Sequence, residues 1–375
     1  EGTADLVVSS VEIDGSDRAE FLLVGAGNFV VVPGATRQVE VHWAPMTRGM
    51  KSASLRIVSN DPDEGTLDVA LAGRAVAPDI SVSPPDRNWG DVRVGTSSGW
   101  TFTVRNIGEV QLVVAGATLA GVDAAEFSIV AGSGGFTVLP GEAGTIRVAF
   151  RPTSAGAKSG VLRISSDDPD AAIVAVPLAG RGVEPEIATD ASRDWGAVRV
   201  GTGVPGVVAV RNEGTAELAV TASLVGPQAG EFAIGGSSSF VVAAGTTYQV
   251  VVSCVPQSSG AKSAVLRLAS DDRDEPVVDV PLAANAVEPI IAVTPPNRRF
   301  GDVRVDGWTS RFIWVRNDGT APLAVTATGF TGPDASRFDV LRGGAPFAVA
   351  PGVTYEIEVR FRPGTLGPKA AILTI

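Results

Sequence analysis

Four lysines organise this chain. They are the only lysines among 375 residues, at positions 51, 158, 262 and 369, so their separations are 107, 104 and 107. Each lies in the same phrase: Gly49-Met50-Lys51-Ser52, Gly156-Ala157-Lys158-Ser159, Gly260-Ala261-Lys262-Ser263 and Gly367-Pro368-Lys369-Ala370. A spacing of this size exceeds the roughly 20 to 50 residues of helical solenoid units and matches one small domain per repeat. The chain must therefore fold as an array of modules, not around a single core.

Other landmarks keep the same beat. Asn106, Asn212 and Asn317 each follow a run ending Val-Arg and precede Gly108, Gly214 or Gly319, with Gly2 in that place at the start. Phe21, Phe127, Phe232 and Phe338 each close a short Ala-containing segment. Trp43, Phe150, Cys254 and Phe361 each stand two residues before a proline. Within a copy, stretches such as Ile146-Arg147-Val148-Ala149-Phe150 and Tyr355-Glu356-Ile357-Glu358-Val359-Arg360-Phe361 alternate apolar with polar or small residues. That is the period of a strand with one buried face, and longer helix-period segments are missing. About seven strands per module, separated by Gly, Pro, Asn and Asp turns, predict an all-β fold of tandem immunoglobulin-like sandwiches forming a rod.

The linkers Val76-Ala77-Pro78-Asp79-Ile80, Val183-Glu184-Pro185-Glu186-Ile187 and Val287-Glu288-Pro289-Ile290-Ile291 set the boundaries. Proline restricts φ and no Gly/Ser run is present, so the joints should be stiff. Complete modules are expected at 78–184 and 185–288, with shortened ones at 1–77 and 289–375. By comparison with its neighbours the first lacks about 29 residues of the plan and the last about 20. The first module lacks its opening strands, the last is expected to have the equivalents around Ile291 and Val303, and the open edges this leaves would suit head-to-tail association of one chain with the next.

Composition removes most chemistry. One His and one Cys leave no intrachain disulfide, no Cys/His zinc site and no Cys–His dyad. A net charge of −11 disfavours nucleic acid. No run of 18 apolar residues marks a membrane span, and no Gly-rich segment carries the Lys of a phosphate loop, so no cofactor and no enzymatic activity are expected. With 26 Arg against four Lys, the usage hints at a GC-rich bacterial gene.

Trp89-Gly90-Asp91-Val92-Arg93-Val94-Gly95, with copies at Trp195 and Phe300, joins the Asn-x-Gly turns and Ser166-Asp167-Asp168-Pro169-Asp170 followed by Val176-Pro177-Leu178-Ala179-Gly180. These phrases resemble the abnormal-spindle/Hydin (ASH) family of immunoglobulin-like modules, found in ciliary, centrosomal and bacterial choice-of-anchor D proteins. The resemblance implies a sandwich of the major sperm protein and PapD-like type that acts in protein–protein contact. Departures are Arg273 in place of Pro, Ala197 in place of Asp, and Asp306 in place of Gly.

The acidic turns place Asp61 and Asp63, Asp168 and Asp170, and Asp272 and Asp274 as calcium candidates. None has EF-hand spacing, and the preferred reading is Asp side chains bonding the backbone of a turn. Cys254 shares its repeat position with Trp43, Phe150 and Phe361, hence a core site. The arginines at 105, 211 and 316 are expected to pair locally. In Phe312-Ile313-Trp314-Val315 the counterparts of Ile313 and Val315 are Phe102 and Val104, so Phe312 and Trp314 should point outward as an exposed contact pair. The resulting expectation is a noncatalytic stalk, adhesive or filament-forming segment of a bacterial surface or secreted protein, with protein partners. Two alternatives stand beside it: a spacer for an enzyme or carbohydrate-binding domain outside this chain, and an intracellular cilium-type scaffold.

Overall fold

A computed structural model describes residues 2–25 and 27–375. The chain divides into two units, Glu1–Val183 and Glu184–Ile375, and each contains two sets of sheets. In the first unit, the strands from Ile80 to Val183 form a complete sandwich. One sheet orders Phe136–Val138, Leu112–Ala120, Gly156–Ser166, Ile173–Val183 and Arg87–Arg93; the other orders Phe127–Ala131, Ala143–Phe150, Ser98–Asn106 and Ile80–Ser83. The strands from Ile187 to Val287 in the second unit repeat this order. Each of these modules has nine strands where about seven were expected.

Alternation decides which side chains go inside. Phe102, Val104, Ile146, Val148, Leu162 and Ile164 are all buried, on strands whose intervening residues face solvent. Among the described residues, all pairings are antiparallel but two: Arg87–Arg93 runs parallel to Ile173–Val183, and Arg193–Arg199 parallel to Val277–Val287. Single 3-10 turns at Arg18–Glu20, Ala124–Glu126, Ala229–Glu231 and Ala335–Arg337 precede the recurring phenylalanines. In the second module Phe127 packs on Phe150 and on Trp89.

The first and last modules carry part of this plan. Among the described residues the first pairs Glu40–Trp43 with Phe21–Val24 alone, and Trp43 is 38% exposed where Phe150 is fully buried. Opening strands of the last module were expected around Ile291 and Val303. Ile291–Thr294 is a strand, whereas residues 298–304 are not. The equivalent segments of the complete modules hold their strand form through the parallel partner after the acidic turn, and among the described residues 298–304 has none.

Candidate functional site

Each linker is clamped to the module that follows it. Asn106, buried, donates through Nδ2 to the carbonyls of Val110 (2.8 Å) and Val138 (3.0 Å), while its Oδ1 accepts from Gly108 N (2.9 Å) and Asp79 N (3.4 Å). The amide's donors and acceptor are thus all used. Asn212 makes the same four bonds to Ala216, Val242, Gly214 and Glu186, and Asn317 to Ala321, Val349, Gly319 and Ile290. The glycine two residues on is required because a Cβ on Gly108 would lie 2.5 Å from Ala77 O, and one on Gly319 2.2 Å from Glu288 O. Backbone bonds complete the clamp: Ile107 N–H donates to Asp79 O, and Glu109 N–H to Ala77 O. Between the first two modules, Arg48 pairs with Asp79, and Arg74 with Glu109.

The acidic turns are the other half of this arrangement. Asp168, 3% exposed, accepts from Ile80 N at 2.8 Å through Oδ2 and from Asp170 N and Ala171 N through Oδ1. Asp272, 2% exposed, binds Ile187 N at 2.8 Å and Asp274 N at 3.3 Å. One carboxylate therefore closes its own turn and pins the first strand of the module, 85 to 88 residues earlier in the chain. Burial opposes ionisation of Asp272, yet the N–H groups of Ile187 and Asp274 hold its pKa below the ordinary value. In the first module Asp61 keeps the local half, accepting from Asp63 N and Glu64 N.

Of the calcium candidates, Asp272 and Asp274 are joined by Glu186, one oxygen from each lying within 4.8 Å of the others. Desolvation, then repulsion from Asp272 and Asp274, raises the Glu186 carboxyl above its ordinary value. These three residues could hold one cation, but three carboxylates fall short of the six to eight oxygens calcium takes. Around Asp168 and Asp170 the neighbouring Asp79 is occupied by Arg48.

The lysines that mark the repeat prove to be structural. Lys51 and Lys262 are buried and pair with Glu20 (2.9 Å) and Glu231 (3.0 Å) beside the 3-10 turns. Sequence reasoning used them only as markers, since their partners lie 31 residues away in both cases. Arg105 donates to Gly141 O, Arg211 pairs with Asp190 and Arg316 with Asp318, so these arginines are used locally.

In the last module Ile313 and Val315 are buried as expected. Phe312 and Trp314 lie on the opposite face but are half-buried, not a freely exposed pair. Trp314 Nε1 donates to Glu356 Oε1 at 3.2 Å, and the Arg298 guanidinium sits 5.7 Å from its ring centre. The sequence reading missed Trp308, 60% exposed just before the same strand. Alignment with Ser97 and Gly203 was the signal that could have found it.

Residues 78–179 match the family model described as HYDIN/CFA65/VesB-like, Ig-like domain. That stretch, the second module, is similar to an immunoglobulin-like domain of this type. No curated protein matches it. Among solved structures, a protein of unknown function from Porphyromonas gingivalis W83 is 14% identical, with 55% of this chain and 99% of that one covered at a TM-score of 0.25. The ASH/PapD-like domain 7 of human CEP192 is 12% identical, covering 29% and 89% at 0.24. WR4, a member of the major sperm protein family from C. elegans, is 14% identical, covering 27% and 96% at 0.20. No helix among the described residues is long and apolar enough to cross a membrane.

Proposed function

We propose that this chain is a noncatalytic structural array of a bacterial surface or secreted protein, built of modules at 1–77, 78–184, 185–288 and 289–375, which holds the two repeats within each unit at fixed spacing and presents their faces to protein partners, other copies of itself included. The observation that carries the reading is the clamp, repeated with the same buried Asn, the same glycine and the same linker carbonyl at three linkers. A flexible tether needs none of these bonds, whereas a spacer that sets distance does.

The test is the distance distribution between spin labels on the last two modules, measured by pulsed electron resonance. A narrow distribution that broadens in Gly319→Val, with the modules still folded, supports the array. A broad distribution in the unsubstituted chain would overturn it.

A further inference from the structure

The outer face of the last module's four-stranded sheet differs from the same face in its sisters. Phe312 and Trp314 stand where the second module has Thr101 and Thr103 and the third has Val207 and Ala209, and Trp308 replaces Ser97 and Gly203. The sister modules close their cores without a ring at any of these places, so folding does not require the three aromatics. The turn that carries Trp308 keeps the form of its sisters: Asp306 has φ +63° where Gly95 and Gly201 have +82° and +76°, Asp306 N–H to Pro363 O at 2.9 Å repeats the bonds of Gly95 to Pro152 and Gly201 to Pro256, and Gly307 N–H donates to Arg304 O at 2.9 Å.

The polar groups around the rings are fixed. Trp314 lies between Thr294 and Glu356, and Phe312 lies opposite Glu358. Glu356 accepts from Trp314 and pairs with Arg342 at 3.6 Å, and Glu358 accepts from Ser310 Oγ at 2.8 Å. Arg360 is paired with Asp339. With Arg298 over Trp314 and Arg316 paired with Asp318, the face carries four acidic and four basic side chains, and its charge cancels.

We propose that Trp308, Phe312 and Trp314 form a docking strip for a neutral polysaccharide chain. The C–H faces of pyranose rings stack on flat aromatics, and sugar hydroxyls, both donors and acceptors, match carboxylates and guanidinium groups set beside those rings. Phe312 and Trp314, two residues apart on a strand, present rings about 7 Å apart, so successive sugars can be engaged along the strip. A basic or acidic peptide would need a face of one charge sign. A protein interface would need an apolar centre poor in charge, whereas here Phe312 lies opposite Glu358 and Trp314 beside Glu356 and Arg298. The strip adds a ligand to the array and does not depend on the clamped linkers.

The test uses the full chain with cellohexaose, chitohexaose, xylohexaose and mannohexaose as probes, read by tryptophan fluorescence and titration calorimetry. Saturable binding to at least one is expected. Trp308→Ala and Trp314→Ala should each weaken it roughly tenfold, while Thr101→Ala leaves it unchanged and the thermal melts of all variants match. Trp308 is exposed, so its variant folds whatever the outcome for Trp314. Absence of binding to all four sugars, or binding that survives the Trp308/Trp314 double substitution, would overturn the proposal. Binding of a charged peptide panel that is lost in the same variants would do so as well.

Discussion

The second and third modules share one strand order but solve the same core position in opposite ways. In the second, Phe150 fills it and Gly180 lies beneath: a Cβ there would come within 2.5 Å of the ring. In the third, Cys254 is equally buried, and Gly180's place in the register opposite the lysine is taken by Ala284. Opposite the aromatic, Ser98 becomes Val204. Two neighbours have each grown as the central residue shrank. The first module supports the same rule, since a Cβ on Gly73 would come within 2.6 Å of the Trp43 ring. A sandwich of this type is therefore specified by alternation and by summed volume, not by which residue supplies it.

Phe150→Ala breaks the comparison most severely. No neighbour in the second module can fill the space, so a loss of about 3 to 5 kcal/mol is expected in the transition of that module during chemical denaturation. Cys254→Phe should cost the third module about 1 to 3 kcal/mol by overpacking against Ala284. Adding Ala284→Gly should recover part of that loss, and a double-mutant cycle with no coupling between the two would show that volumes are not exchanged here. Cys254→Val should change stability by less than about 1.5 kcal/mol. Burial also raises the Cys254 thiol pKa, so a thiol reagent should label it only as the module unfolds.

The smallest effect concerns acid. The Gln257 N–H and Lys262 hold the Glu231 carboxyl below its ordinary pKa. A depressed folded-state pKa contributes stability that is present above the unfolded value and lost as pH falls through the folded one. Acid titration of the third module, followed by circular dichroism, should therefore show a loss below the ordinary glutamate range. That loss should shift toward higher pH in Gln257→Pro, which removes the N–H.

Much of this was legible beforehand. The inward positions of Ile313 and Val315, the core site of Cys254 and the backbone-bonding role of Asp168 follow from periodicity and turn chemistry, which are local properties of the chain. Other features depend on which distant strands become neighbours. Asp168 and Asp272 reach Ile80 and Ile187, Lys262 reaches Glu231, and Trp314 is half-covered by Arg298 and Glu356. The parallel strand Arg87–Arg93 belongs to the same class: its composition allows a strand, but only pairing with Ile173–Val183 makes it one, and residues 298–304, with no such partner among the described residues, are irregular. The repeat, the strand period and the core side of each strand were thus determined by sequence alone, because side-chain alternation needs no partner. The clamps, the buried ion pairs and the exposure of each aromatic were decided by tertiary structure, because hydrogen bonding and burial are relations between segments far apart in the chain.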